Sequence, residues 1–457
     1  MASSTPYTSP KSSITSGVVA PGGSDEVLWL FTECGGIATM AVFYQKKIPA
    51  MDQLTLYDQI LGLSPPWGTR SVDLNELSGE VVVTVSYDRD SSASCPVCQQ
   101  PCRHYDSRAR TWRHLDTCQY KTIIQADVPR VECPEHGVLT VQVPWANSSS
   151  HYTMLFELRV LKLAQENTIS AVSRQLRLSW SSLDRIIQRG IERGLNRRWE
   201  LDCRHLHVDE TSVNKNREYI TVLSNQSGLV LAIADGRSSS SLTECLRNIP
   251  IQSISKARSL SMDMSPAYIR AANEFFGTRA SKMIGFDHFH VARSLARSVD
   301  QIRKTDMKNL PSLERLYVHR NRYLWLRNGA ELDVRSKNMI LSHAPLMGNT
   351  IAAWTLKEKA RDIWKGVEPK TRSSWKQWIK LVMNTGIKPL IAVAEMVRKH
   401  LDGIVLAMQS GHSNSRAEAL NKNIKNLNRN AHGHRNQERY KAMIYLRFGN
   451  LDMSFSH

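Results

Sequence analysis

HVDETSV, residues 207–213, places an acidic pair inside a short β-type run, with Asp209 between Val208 and Glu210. A lone carboxylate in a strand is a liability, whereas carboxylates converging from distant segments can hold a metal ion. The neighbouring segments decide between the two. HLHVDET (205–211), REYITVLSN (217–225) and LVLAIADG (229–236) read as three consecutive strands from their β-branched and apolar runs. SSLTECLRNI (240–249) reads as a short helix. ARSLSMDMS (257–265) is a fourth strand with Asp263 near its end, and PAYIRAANEFF (266–276) is a helix opened by Pro266. KMIGFDHFH (282–290) is a fifth strand.

This order, β-β-β-α-β-α-β, is that of an RNase H-like mixed sheet, in which the first and fourth strands lie side by side. Asp209 and Asp263 are therefore expected to be neighbours. A third acid is expected from a later helix, and HSNSRAEALNKNIKNLNRN (412–430) supplies Glu418. At 100° per residue Asn414, Glu418, Asn421, Lys422 and Lys425 share one face. Ala417, Leu420, Ile424 and Leu427 form the opposite, apolar face. Residues 411–447 hold eight Lys and Arg against two acids, so Glu418 stands in a basic field. Lys422, Lys425, Arg429 and Arg435 are candidate phosphate contacts. Three carboxylates suit two Mg²⁺ or Mn²⁺ ions about 3.5–4 Å apart, which clamp both oxygens of an in-line phosphoryl displacement. Water as nucleophile gives strand cleavage, and a DNA 3′-OH gives strand transfer. Each acid taken alone reads as solvated surface charge, and Glu210, Asp235 and Asp287 compete for the same roles.

Composition agrees with a nucleic-acid partner. The chain has 457 residues, more than one ordinary core, and carries 60 Lys and Arg against 42 Asp and Glu, a net charge of +18. The competing reading is a generally basic soluble protein. The apolar stretch Val27–Tyr44 is interrupted by Glu33, Gly35 and Gly36, so no membrane span is expected.

Five of the eight cysteines fall within 95–133. CPVC (95–98) and CPEH (133–136), followed by Gly137, are two knuckles whose ligands Cys95, Cys98, Cys133 and His136 can share one tetrahedral, structural Zn²⁺. Buried cysteines without metal are the alternative, with Cys102, Cys118, His104 and His114 complicating the pairing. Residues 168–195 read as two short helices joined by a turn, with Ser179 as N-cap and Trp180, Leu183, Ile186, Ile187 and Ile191 as an apolar stripe. Ser181, Arg185, Gln188 and Arg189 point away from that stripe and would meet base edges or phosphates. An ordinary helical hairpin is the competing reading.

At these residues the chain resembles the DDE transposases of bacterial insertion sequences, in the group named ISL-three. The resemblance runs from about Met51 to the C-terminus. It is carried by CPVC…CPEHG, the helix-turn-helix, HVDETS, SMDMSPAY, FDHFHV, SNSRAEALN and RNAHGHRN. It implies cut-and-transfer chemistry at terminal inverted repeats, with Asp209, Asp263 and Glu418 as the triad. Ala419 stands where such proteins often carry Gly, and His288 where they often carry Arg. The expected fold is multidomain α+β and α/β. A disordered leader over 1–50 precedes a zinc-binding β domain (51–150) and a helix-turn-helix region (151–200). An RNase H-like core (201–290) is then interrupted by a helical insertion (291–410), and its last helix and a basic C-terminus complete it (411–457). Lys, Arg and Trp in the insertion would bind or help open a DNA end, or simply form a bundle core with a basic face. The expected partners are double-stranded transposon ends and target DNA, with a homodimer bringing two ends together on the nucleoid in the cytoplasm. The rival function is a sequence-specific DNA-binding regulator with a vestigial nuclease core.

Overall fold

The computed structural model describes residues 52–457 except 89, 214–217, 344, 367–370, 411–414, 432–435 and 456–457. Within 1–51 it describes only the backbone of three strands, β1 (Ile14–Val19), β2 (Glu26–Cys34) and β3 (Ile37–Gln45), which pair antiparallel in that order. The expected disordered leader otherwise lies outside the described residues. The chain divides into two compact units, Met1–Glu157 and Leu158–His457.

In the first unit, α1 (Gln53–Leu61) begins where Thr55 N–H donates to the Asp52 carboxylate at 2.7 Å, and it ends at Gly62 with φ +62°. Then come β4 (Trp67–Asn75), β5 (Glu80–Tyr87), β6 (Ala93–Ser94), β7 (Pro101–Arg113), β8 (Lys121–Cys133) and β9 (Gly137–Thr140). They form a sheet of order β4-β5-β8-β7-β6, with β9 on β8 and the β5–β8 pair parallel. Alternation along β5 buries Val81, Val83 and Val85 beneath a set of tryptophans. Trp145 meets Trp67 and Trp112 edge-on, with centroids 5.0 and 5.3 Å apart. His114 is buried beside this core, its Nδ1 2.9 Å from Thr153 Oγ1.

The second unit opens with α2 (Met154–Glu166), whose later turns belong to it, then α3 (Ile169–Leu176) and α4 (Trp180–Asn196). The hydroxyls of Thr168 and Ser179 cap α3 and α4. Between the two helices Arg177 adopts φ +53°, and its N–H closes the last turn of α3 on Ser173 O. Next follow β10 (His205–Ser212), β11 (Tyr219–Asn225), β12 (Val230–Asp235), α5 (Ser239–Arg247), α6 (Ile251–Ile254), β13 (Ser259–Met262), α7 (Pro266–Phe276) and β14 (Ile284–Phe286). The sheet order is β12-β11-β10-β13-β14, with β10–β13 and β13–β14 parallel and the rest antiparallel. First and fourth strands are neighbours, as the strand order requires. Residues are buried at successive positions of β11 and β12, so both faces of the sheet are covered.

The helices after β14 are α8 (His288–Asp306), α9 (Ser312–Arg320), α10 (Arg322–Leu326), α11 (Val334–Ser342), α12 (Gly348–Lys365), α13 (Thr371–Met383), α14 (Lys388–Lys399) and α15 (Leu401–Gln409). This is the expected helical insertion. Trp375 and Trp378 are buried in its core, only 1% and 0% exposed, so the core reading holds for both. Two last helices, α16 (Ser415–Asn430) and α17 (Gln437–Phe448), return to the sheet: α16 contacts β10 and α17 contacts β12.

Three local readings are corrected. The fifth strand ends at Phe286 rather than 290, because the Asp287 carboxylate accepts Phe289 N–H at 3.0 Å and starts α8. The fourth strand ends at Met262, leaving Asp263 just beyond it. Trp180 lies at the first position of α4 and is 54% exposed, outside the apolar stripe that Leu183, Ile186, Ile187 and Ile191 form.

Helix α4 is also held by the end of the chain. Gly194 faces Leu451 so closely that a Cβ would lie 2.6 Å from the Leu451 Cβ. Arg193 Nε donates to Met453 O at 2.9 Å, with its guanidinium 3.8 Å from the Phe455 ring centroid. Arg197 donates to Ser454 O at 2.6 Å. Among the described residues no helix is long and apolar enough to cross a membrane.

Two stability predictions follow from this packing. On α15, a Cβ at Gly403 would lie 2.5 Å from the Phe286 ring on β14, whereas one at Gly348 would meet nothing within 4 Å. Gly403→Ala should cost about 1–3 kcal/mol and lower the melting temperature by several degrees, with Gly348→Ala as the near-neutral control. Burial, then the Arg113 charge, depresses the His114 pKa from 6.5 to about 4. The unfolded chain therefore binds a proton that the folded one refuses, and stability is lost as pH falls from 6.5 towards 4. His114→Gln should remove that part of the slope; urea midpoints with the same pH profile in both proteins would contradict it.

Candidate catalytic, metal and DNA-binding sites

The register of the central parallel pair sets the site. His205, Leu206 and His207 of β10 face Ser259, Leu260 and Ser261 of β13. Asp209 and Asp263 each follow two residues beyond the last pair and so stand at the same level. Side chains alternate along a strand, so both carry the orientation of His207 and Ser261. Glu418 comes from the first turn of α16, whose Leu420, Ile424 and Leu427 are buried as the helical face requires. Asp209, Asp263 and Glu418 line one small cavity of about 50 Å³, together with Asp287, His290 and Asn421.

The contacts fix the carboxylates individually. Asp209 Oδ1 accepts Glu210 N–H at 2.8 Å, and its Oδ2 accepts the Asn421 side-chain amide. Asp263 Oδ1 accepts Ser265 N–H at 3.0 Å. Burial raises the Asp209 pKa, opposed by the Glu210 N–H and by the charges of His290 and Lys425. Burial also raises that of Glu418, with Asp287 adding to it. Among the described residues no lysine or arginine forms an ion pair with Asp209, Asp263 or Glu418. The three carboxylates share a cleft but do not close to within 4.8 Å of one another as a set.

The competing acids separate clearly. Asp287 joins the cleft, and its dual role as N-cap of α8 and cleft residue was hidden by the strand-like FDHFHV. Glu210 follows Asp209 on β10 but does not line that cavity, and its pKa is raised by burial and by Asp263 and Asp209. Asp235 lies elsewhere, paired with Lys441 at 3.0 Å. His290 and Asn421 also line the cleft; in the sequence His290 falls at the end of a strand-like run and Asn421 on the face of Glu418, with no role marked for either.

In the first unit, the ligand atoms of Cys95, Cys98, Cys133 and His136 all lie within 4.8 Å of one another. Cys98 Sγ is 3.7 Å from Cys133 Sγ, and His136 Nδ1 is 3.5 Å from Cys133 Sγ and 3.9 Å from Cys95 Sγ. Three thiols and an imidazole are the donor set of a structural zinc site with no open position. The turn that joins the last two ligands closes on Gly137, at φ +70° and paired with Cys133 across β8 and β9. Cys118 is exposed, His114 is occupied by Thr153, and Cys102 Sγ donates to Gln100 O at 3.3 Å, so none of the three enters the cluster.

On α4, Ser181, Arg185 and Gln188 are exposed and Arg189 is half-buried, on the side away from the apolar stripe. Lys422, Lys425 and Arg429 are exposed on α16, whereas Arg435 lies outside the described residues.

Residues 206–444 match a family model described as transposase. The chain belongs to the ISL3 transposase family. Residues 141–191 match the helix-turn-helix domain of transposase family ISL3, and residues 91–136 match the zinc-finger of transposase IS204/IS1001/IS1096/IS1165. The chain is similar to the transposase for insertion sequence element IS1001 of Bordetella parapertussis, 24% identical over 78% of this chain and 88% of the relative. It is also similar to the transposase for insertion sequence element IS1557 of Mycobacterium tuberculosis, 25% identical over 87% of this chain and 96% of the relative. No solved structure matches it. The helix-turn-helix of the transposase is therefore more than an ordinary hairpin, and its cysteine knuckles form a zinc ribbon.

Cys133→Ser in the full chain should lose one zinc per protomer by elemental analysis and render the first unit sensitive to protease. Unchanged metal content would refute the ligand set.

Proposed function

We propose that this transposase binds the terminal inverted repeats of an insertion sequence and catalyses metal-dependent strand cleavage and strand transfer. The observation that carries the reading is the matched level of Asp209 and Asp263 on parallel neighbouring strands, with Glu418 lining the same cleft. The donors fit a hard divalent cation: they are all carboxylate oxygens, and Asp209 is desolvated and forms no ion pair with a lysine or arginine among the described residues. Asp209, Asp263 and Glu418 would hold Mg²⁺ or Mn²⁺, as two ions. When bound, these activate a water or a DNA 3′-OH and stabilise the departing 3′-oxygen.

The protein's own residues supply the rest. The Asn421 amide and the Glu210 N–H hold the Asp209 carboxylate in one orientation. Lys425, close enough to lower the Asp209 pKa, lies where a phosphodiester in the cleft would need a counter-charge, with Lys422 and Arg429 further along α16. Ser181, Arg185, Gln188 and Arg189 on α4 would contact base edges and backbone of the duplex end. Two ends must meet for transfer, so the working form is a homodimer on genomic DNA in the cytoplasm.

Asp209→Asn, Asp263→Asn and Glu418→Gln should each lower cleavage and joining of element-end DNA by roughly 1,000-fold or more, while leaving end binding within a few-fold of wild type. Gel-resolved cleavage in Mg²⁺ or Mn²⁺, alongside a binding titration at fixed salt, measures both. A variant that cuts at the wild-type rate removes that acid from the site. A wild-type protein that binds ends and never cuts in either metal is a regulator instead.

A further inference from the structure

Two further cavities lie in series with the acidic cleft, the first sharing residues with the cleft and the second sharing residues with the first. The larger, about 600 Å³, runs along β13 and β14 and shares Asp287 and Glu418 with the cleft. Arg258 and Lys282, both exposed, stand on its wall. The second, about 280 Å³, lies between α8 and α12. Three aromatic side chains, His288, Phe289 and Trp364, line both cavities and so form the passage between them.

One pair of rings in that passage is stacked, unlike the edge-on tryptophans of the core. His288 and Trp364 stack at 5.0 Å with 27° between their planes. The Phe289 ring is 4.4 Å from His288 and is 44% exposed. Trp375 and Trp378, by contrast, meet edge-on at 5.4 Å and are fully buried. Val291 and Leu295 of α8 and Ala360 of α12 give the smaller cavity apolar walls. Two of its three cations are engaged: Lys357 donates to Arg327 O at 2.7 Å and pairs with Glu358 at 2.6 Å, and Arg361 lies 3.2 Å from Glu358, whereas Lys365 is exposed at the rim. Arg258 and Lys282 of the larger groove form no ion pair among the described residues, and the exposed Lys365 adds positive charge at the rim of the smaller cavity. A polyanionic strand is thus attracted to the groove, while the cavity beyond the rings suits something flat, apolar on its faces and about the size of an aromatic heterocycle.

We infer that the α8–α12 cavity receives one unstacked nucleobase of the DNA strand that passes the acidic cleft, seated on the His288–Trp364 stack with Phe289 at its mouth. Asp287 lines the cleft, and His288 and Phe289 follow it directly, so the seated base belongs to a nucleotide next to the phosphodiester in the cleft. Recognition is through the π-face, which every base has, so it carries little sequence preference. The inference rests on the proposed function for which strand is bound, but the seating itself needs neither metal nor strand chemistry.

The test uses the full chain in EDTA and an oligothymidylate carrying one 2-aminopurine. Binding should change the 2-aminopurine emission. Trp364→Ala and Phe289→Ala should each weaken binding by about 5- to 100-fold, and Trp364→Phe should restore most of it. Ala296→Phe, which fills the cavity and keeps the rings, should weaken binding similarly. Phe289 is exposed, so its truncation reports even if Trp364→Ala fails to fold. Wild-type affinity and emission change in Phe289→Ala and Ala296→Phe would overturn the inference. Weakening by Phe289→Ala alone, with Ala296→Phe unaffected, would also overturn it, because the base would then stack on the surface. A protein that shows these binding effects but cuts no DNA end would disprove the catalytic reading and leave the base-binding cavity standing.

Discussion

The parallel pairing of β10 with β13 is the constraint on which the second unit depends. Three register pairs, His205 to Ser259 through His207 to Ser261, bring together segments that are far apart in the chain. The crossover between them runs through β11, β12, α5 and α6, so neither strand alone specifies its neighbour. Once the register is set, the alternation of side chains fixes the face of Asp209, and Asp263, one residue past the end of β13, lines the same cavity. A one-residue slip would turn one of them to the opposite face. The helical segment between β14 and α16 can then be long and varied, because α16 regains its place by burying Leu420, Ile424 and Leu427 and through the Asn421 bond to Asp209.

The same packing creates the electrostatic tension of the cleft. Covering both faces of the sheet removes water from Asp209, which disfavours its charge, and Asp263 adds to the cost. Elsewhere in the chain acids find cations directly, as Asp235 does with Lys441 and Asp106 with Arg130. Among the described residues the cleft acids have N–H donors, the Asn421 amide and the more distant charges of His290 and Lys425. A net positive chain has ample lysine and arginine to neutralise three carboxylates, so their placement away from such partners is a property of the fold rather than of composition.

Much of this was legible in the sequence, for physical reasons that differ by element. The strands of the sheet could be read because β-branched runs and Pro266 mark them locally, and their order then dictates adjacency. The zinc cluster could be read because two tight knuckles carry their own turn chemistry, Gly137 included. The apolar face of α16 followed from helical periodicity alone. The end of β14 could not be read: GFDHFH is as apolar as a strand, and only the capping bond from Phe289 to Asp287 reveals that a helix has begun. For the same reason Asp287 remained one acid among several. Trp180 misled because a large ring at a helix start suits either a core or a surface, and nothing nearby in sequence says which. The tryptophans of the insertion posed the same ambiguity, which packing resolves differently for Trp364 than for Trp375 and Trp378.

The clasp on α4 by residues 451–455 carries a consequence for biosynthesis. The second helix of the helix-turn-helix is encoded before the sheet of the second unit, yet Leu451, Met453, Ser454 and Phe455 hold its far end. While a ribosome is still translating, those residues do not yet exist outside the exit tunnel, and the last turns of the helix lack their support. The packing of α4 is therefore completed only once residues 451–455 have been made, so the helix gains its last contacts after the sheet that follows it in sequence has already been synthesised.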